Sequence, residues 1–91
     1  MNIPWDQLFE MVFQLLEDCG DTEAERVDIV SSRPFAVRMG VTRSLRKLGF
    51  RGRDLRAARS EVLEEINDAD AEEIRAFCKG GPAAVVALKS A

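Results

Sequence analysis

The sequence predicts a single all-α domain, a small bundle of five or six short helices without a sheet. Apolar residues recur every three or four positions in several separate stretches, which is the spacing of one helix face. Helix start and stop signals divide these stretches, and residues 27–30, which could pass for an alternating strand, have no second strand to pair with. The 91 residues, 46% apolar and 32% charged, suit one globular domain spanning 1–91.

The first helix is expected to begin near Pro4, with Asn2 as its cap, and to end at Gly20. Its apolar stripe covers more than half of its circumference, so the helix is either central to the core or shared with a partner surface. Trp5, near its start, is a candidate interface anchor. The stripe contains Trp5, Leu8, Phe9, Val12, Leu15, Leu16 and Cys19.

The second helix is predicted to cover about 23–31, because Thr22 and Glu25 form a capping box. Pro34 ends it and opens a third helix over 34–48, since the residue before a proline resists helical geometry. Gly40 interrupts this third segment, which is therefore either one bent helix or two shorter ones.

The remaining helices are marked by glycines and caps. Gly49 is the predicted end of the third helix, and Gly52 or Asp54 opens the fourth. Asp70 caps a fifth helix, which stops and restarts at residues 80–82 before a last helical turn or two. The inward face of the fourth helix is predicted to hold Leu55, Ala58, Val62 and Ile66.

Charge is segregated along the chain. Residues 33–59, the basic segment, carry nine cations and one acid, a net charge of +8, whereas 1–32 carry −7 and 60–91 carry −4. If the third and fourth helices pack by their apolar sides, the cations gather on a shared exposed surface. The alternative is that the chain's own carboxylates neutralise them. The nine cations are Arg33, Arg38, Arg43, Arg46, Lys47, Arg51, Arg53, Arg56 and Arg59.

The composition argues against an enzyme. The chain has no histidine and no tyrosine, no glycine-rich phosphate loop after a strand, and no carboxylate paired with a base or nucleophile. We therefore expect no catalytic residues, no cofactor, no metal ion and no small-molecule substrate. Cys19 and Cys78 are expected to be buried hydrophobes. Without a leader-like start or a long apolar run, we expect no membrane association and a cytoplasmic location.

The basic segment supports two hypotheses about partners. The first is a non-enzymatic interaction module that docks residues 33–59 on an acidic protein surface, a second copy of the chain (a homodimer) being one such partner. The alternative is binding to the nucleic-acid backbone through the same helices and the loop at 49–52, although a pI near 4.9 disfavours it. The candidate binding residues are Arg43, Arg46, Lys47, Arg51, Arg53, Arg56 and Arg59.

Two nucleic-acid motifs are approximated, and neither is complete. Residues 36–42 resemble the turn of a helix-turn-helix, but Leu45 and Leu48 come one position early, which rotates the following helix by about 100°. Residues 49–52 resemble the GxxG loop of KH domains, but the strands that such a domain needs are lacking. What remains is the hypothesis of a glycine-bounded anion loop carrying Arg51.

Overall fold

The computed structural model describes residues 2–16 and 20–90, and within these ranges it contains five α-helices and no strand. The predicted all-α fold of five or six helices is thereby confirmed. The helices are α1 (Trp5–Leu15), α2 (Glu23–Ser32), α3 (Pro34–Lys47), α4 (Gly52–Asn67) and α5 (Ala71–Ser90).

Helix α1 lies at the centre of the core and packs against α3 and α5. Its buried residues Phe9 and Val12 are each at most 1% exposed. Phe9 meets Phe77 of α5 in a T-shaped contact with 5.6 Å between ring centroids. Helix α3 also packs against α4 and, over a smaller area, against α2. Its residues Phe35, Met39, Arg43 and Arg46 stay exposed.

The first helix begins near Pro4 as predicted, but its predicted cap and its predicted end are wrong. Asn2 is not the cap: Pro4 occupies that position, and its carbonyl accepts a hydrogen bond from the Leu8 N–H at 2.8 Å. The helix ends at Leu15, and Leu16 is already extended, so Gly20 is not the residue that stops it. The prediction for Cys19 lies outside the described residues.

The break between α2 and α3 lies where the sequence predicts it. Thr22 caps α2 by accepting a hydrogen bond from the Glu25 N–H at 3.2 Å, and α3 begins at Pro34. Helix α3 continues unbroken through Gly40, where a Cβ would lie 3.2 Å from Val12 Cγ1. The glycine therefore permits close approach of α1 and α3 and makes no turn, which removes the resemblance to a helix-turn-helix.

Gly49 stops α3 as predicted: the last helical residue is Lys47, Leu48 is the C-cap, and Gly49 has a φ of +103° that glycine adopts readily. The Gly49 N–H donates to the Arg46 carbonyl at 3.1 Å and the Phe50 N–H donates to the Leu45 carbonyl at 3.0 Å. This pair of bonds is a Schellman motif. It turns the chain back so that Phe50 packs against the core and α4 starts at Gly52.

Helix α5 is two helical pieces joined at Gly81, where φ is +72° and ψ is −158°. The predicted stop and restart at 80–82 is therefore a sharp kink. Asp70 caps the first piece, since its carboxylate accepts the Glu73 N–H at 2.9 Å. In the part of the chain that the structure describes, no helix is long and apolar enough to cross a membrane.

Candidate interaction surface

Ion pairing divides the basic residues of the chain into two groups. The cations outside the basic segment each pair with a carboxylate, and three of the four pairs join different helices. In the fourth, the two partners lie at opposite ends of the kinked α5. The pairs are Arg26 with Glu10 (2.9 Å), Arg75 with Glu23 (3.4 Å), Lys79 with Glu23 (2.8 Å) and Lys89 with Glu73 (3.3 Å).

Inside the basic segment the situation is the opposite. None of its nine cations lies within 4.0 Å of a carboxylate in residues 2–16 and 20–90. The alternative in which the chain neutralises its own basic segment is therefore not realised among these residues. An unpaired cation on a folded surface remains available to an outside anion.

Helix α3 carries part of this charge on the face turned away from the core. Val41 and Leu45 are fully buried, and Arg43 and Arg46 are exposed. At about 100° per residue, Arg43 lies about 200° and Arg46 about 140° around the helix from Val41. Lys47, also exposed, follows in the last turn, where a cation opposes the negative end of the helix dipole.

Helix α4 adds cations from its first two turns. Arg53 and Arg56 are exposed, whereas Arg59 is half-buried because it lies beside the stripe formed by Leu55 and Ala58. Its stem covers apolar surface, as long basic side chains often do. Helices α3 and α4 are packed neighbours joined by a four-residue connection, and each of them carries exposed cations. We call Arg43, Arg46, Lys47, Arg53 and Arg56 the basic face.

The Arg51 side chain, unlike those of the basic face, is hydrogen-bonded to backbone carbonyls of the chain. Its guanidinium Nη1 donates to the carbonyl oxygens of Arg46 at 2.6 Å and Phe50 at 2.8 Å. The side chain thus completes the C-terminus of α3, where unpaired carbonyls and the helix dipole favour a cation. In the loop at 49–52, the predicted anion-binding arginine is engaged by the chain itself.

Trp5, the other candidate contact residue, is half-buried and packs inside the molecule. Its ring centroid lies 4.9 Å from that of Phe77. A Cβ on Gly81 would fall 2.3 Å from Trp5 Cδ1, so the indole fills the space that the glycine leaves. These contacts assign Trp5 to the junction of α1 and the α5 kink.

The sequence analysis missed two exposed apolar side chains on α3. Phe35 is 74% exposed and Met39 is 42% exposed, and their i, i+4 spacing places them side by side on the face that carries Arg43 and Arg46. A helical projection would have found them. Both lie more than 100° from Val41, outside the stripe of core residues.

Two titratable groups outside the basic segment have shifted pKa values. The Glu23 carboxylate accepts from Lys79 and also faces Arg75, and these cations hold its pKa below the ordinary 4.5. Burial raises the pKa of the Cys78 thiol to about 12, so it stays protonated near neutral pH and packs as a small hydrophobe. Within the described ranges, no cluster of cysteine and carboxylate side chains could hold a metal ion.

A comparison of the chain with protein families, with curated proteins and with solved structures finds no match in any of the three.

Proposed function

We propose that the chain is a non-enzymatic helical interaction module that docks its basic face on an acidic surface of another protein. The observation that carries the proposal is the division of ion pairs. The four cations outside residues 33–59 are matched with carboxylates, and within the described residues the nine inside are not. A chain with 16 acidic residues has ample means to neutralise these cations internally. Leaving them unpaired is what a docking surface requires.

The exposed apolar residues favour a protein partner. Phe35 and Met39 lie among the cations of α3, and large apolar side chains gain free energy from contact with another apolar surface. A phosphate backbone offers only anions.

Nucleic-acid binding is the second candidate, because five exposed cations on two adjacent helices could contact several phosphates. It predicts affinity for mixed-sequence DNA or RNA that falls steeply with salt. A second copy of the chain is a further candidate for the acidic partner. A cleft of about 260 Å³ between α4 and α5 is lined by Glu61, Glu64, Glu65, Asp68 and Glu73, together with Lys89.

The test compares a charge reversal in the basic face with a matched reversal elsewhere. Arg43→Glu with Arg46→Glu and Arg75→Glu with Lys79→Glu change the net charge equally, and all four positions are exposed. We expect the first double variant to lose at least tenfold in affinity for poly-L-glutamate, and the second to change it less than threefold. Fluorescence anisotropy measures both, and circular dichroism checks that each variant is folded.

Two outcomes would count against the proposal. Equal losses in the two double variants would show that net charge, and not the basic face, governs binding. Tighter binding of mixed-sequence DNA or RNA than of poly-L-glutamate at moderate salt would assign the face to nucleic acid. Analytical sedimentation tests separately whether the partner is a second copy of the chain. A clean monomer at tens of micromolar would rule out the homodimer.

A further inference from the structure

The exposed face of α3 is a continuous ridge that begins apolar and ends basic. Phe35 and Met39 occupy its first two turns, and Arg43 and Arg46 continue the same face through the next two. From Phe35 to Arg46 the ridge is about 16 Å long, at 1.5 Å per residue. Phe35, at 74% exposed, gains little from the fold that presents it.

Cations border the apolar part of this ridge on both sides. Toward α1, Arg33 and Arg43 line a groove of about 350 Å³ together with Leu15 and Met39. Toward α2 and α4, Arg38 lines a second groove of about 350 Å³, which Leu63 and the Glu64 carboxylate also line. Neither Arg33 nor Arg38 has a carboxylate within ion-pair distance in the described ranges. The apolar strip therefore has two unpaired arginines on the side of α1 and one, Arg38, on the other side.

We infer that the partner contributes an acidic amphipathic helix, laid along α3 with its apolar stripe on Phe35 and Met39. This inference rests on the proposed function and specifies its partner. A helix of about three turns matches the length of the ridge and places its carboxylates on both sides of its apolar stripe. Those carboxylates meet Arg33 and Arg43 on one margin and Arg38 on the other. Helix-in-groove recognition uses this combination of an apolar stripe and charged edges.

A second copy of the chain does not offer this combination on one surface. Its other exposed large apolar side chains in the described ranges, Val86 and Leu88, lie in the last turns of α5, where Lys89 pairs with the Glu73 carboxylate at 3.3 Å. Glu73 and Lys89 also line the acidic cleft between α4 and α5, whose lining is charged apart from Ala69. On the copy, the exposed apolar pair therefore adjoins a cation, and the acidic cleft lacks the apolar stripe that would cover Phe35 and Met39.

The experiment uses two synthetic peptides of about 14 residues, roughly four helical turns, with the same composition of leucine, alanine and glutamate. One places its leucines on a single helix face. The other is a permutation that spreads them around the helix. We expect the first to bind the protein at least tenfold more tightly at moderate salt, measured by fluorescence anisotropy.

Two pairs of variants locate the contact. Phe35→Ala with Met39→Ala should abolish the difference between the peptides, while leaving the weaker binding of the permuted peptide unchanged. Val86→Ala with Leu88→Ala, which truncates the exposed apolar pair of α5, should leave the tenfold difference intact. All four side chains are at least 37% exposed, so the truncations leave the core in place, and circular dichroism checks the fold.

The outcomes separate this inference from the function on which it rests. If both peptides bind equally, with Arg43→Glu and Arg46→Glu still weakening them, the amphipathic helix is wrong and the acidic docking face stands. If neither peptide binds, the proposed function fails as well. A tenfold preference that survives Phe35→Ala with Met39→Ala places the contact elsewhere and overturns the inference. So does a dimer in sedimentation that those two substitutions dissociate, because the second copy would then occupy the ridge.

Discussion

Gly81 is constrained twice, by its own backbone and by Trp5. A φ of +72° with a ψ of −158° lies in a region that residues with a Cβ rarely adopt. The Trp5 indole also occupies the space in which a side chain would stand. Gly81 therefore permits both the kink of α5 and the packing of Trp5, through which α1 contacts α5.

Gly81→Ala is expected to lower the free energy of unfolding by about 2–4 kcal/mol, because backbone strain and a clash with Trp5 add together. The matched control is Gly49→Ala, where φ is +103° and nothing lies within 4 Å of the added methyl group. It should cost only the backbone part, about 1–2 kcal/mol. Urea denaturation measures both, and equal losses would show that the Trp5 contact has no part in the effect.

At the scale of elements, the C-terminus of α3 determines how α4 is placed. Two backbone N–H groups and the Arg51 guanidinium satisfy the carbonyls of its last turn. Several hydrogen bonds therefore hold the connection from α3 to α4, and they fix the position of the α4 cations relative to those on α3. The Arg51 guanidinium is held by the Arg46 and Phe50 carbonyls at this helix end, so we do not count it in the basic face.

Arg51→Gln should lower the free energy of unfolding by about 0.5–1 kcal/mol, since the helix end loses a cation and its hydrogen bonds. Arg53→Gln, two positions later and exposed, is the control and should change stability by less than about 0.3 kcal/mol. Binding to an acidic peptide should respond in the reverse order, with the larger loss at Arg53. A larger binding loss at Arg51 would restore the anion loop as a contact.

The helices also show where periodicity succeeds and where it fails. Of the predicted inward residues of α4, Leu55, Ala58 and Val62 are buried, and Ile66 is half-buried against the core, because an apolar stripe at helical spacing lies on one face of the helix. The end of α1 was missed: the apolar stripe continues past Leu15, but the helix does not. Helix ends depend on which neighbours satisfy the last carbonyls, and that is a property of packing.

At the scale of the whole molecule, unpaired like charges carry an energetic cost. On α3, Arg43 is three and four residues from Arg46 and Lys47, and on α4, Arg56 is three residues from both Arg53 and Arg59. Neighbours at these spacings repel by about 0.2–0.5 kcal/mol a pair. These repulsions therefore lower the stability of the fold by a small amount.

Arg43→Gln combined with Arg56→Gln removes all four of these repulsions and retains good helix formers. We expect the free energy of unfolding to rise by about 1 kcal/mol at low salt. The gain should fade in 1 M salt, where the Debye length is about 3 Å. Thermal and urea denaturation at the two ionic strengths measure it.

The control for that double variant is Arg75→Gln with Lys79→Gln. It removes the same charge but breaks the ion pairs of Glu23, so it should not stabilise the protein. Destabilisation by Arg43→Gln with Arg56→Gln would mean that the basic face is held by favourable contacts within the fold, and its availability to a partner would then be in doubt.

The helical class, most of the helix starts and stops, and the segregation of charge could be predicted from the sequence, because they depend on residues close together in the chain. Which cations are neutralised could not, since Arg26, Arg75 and Lys79 meet carboxylates from other helices. The same holds for the bonds of Arg51, the packing of Trp5 on Phe77 and the exposure of Phe35 and Met39. Pairing and exposure depend on which surfaces the packed helices bring together, and that is a property of the folded molecule.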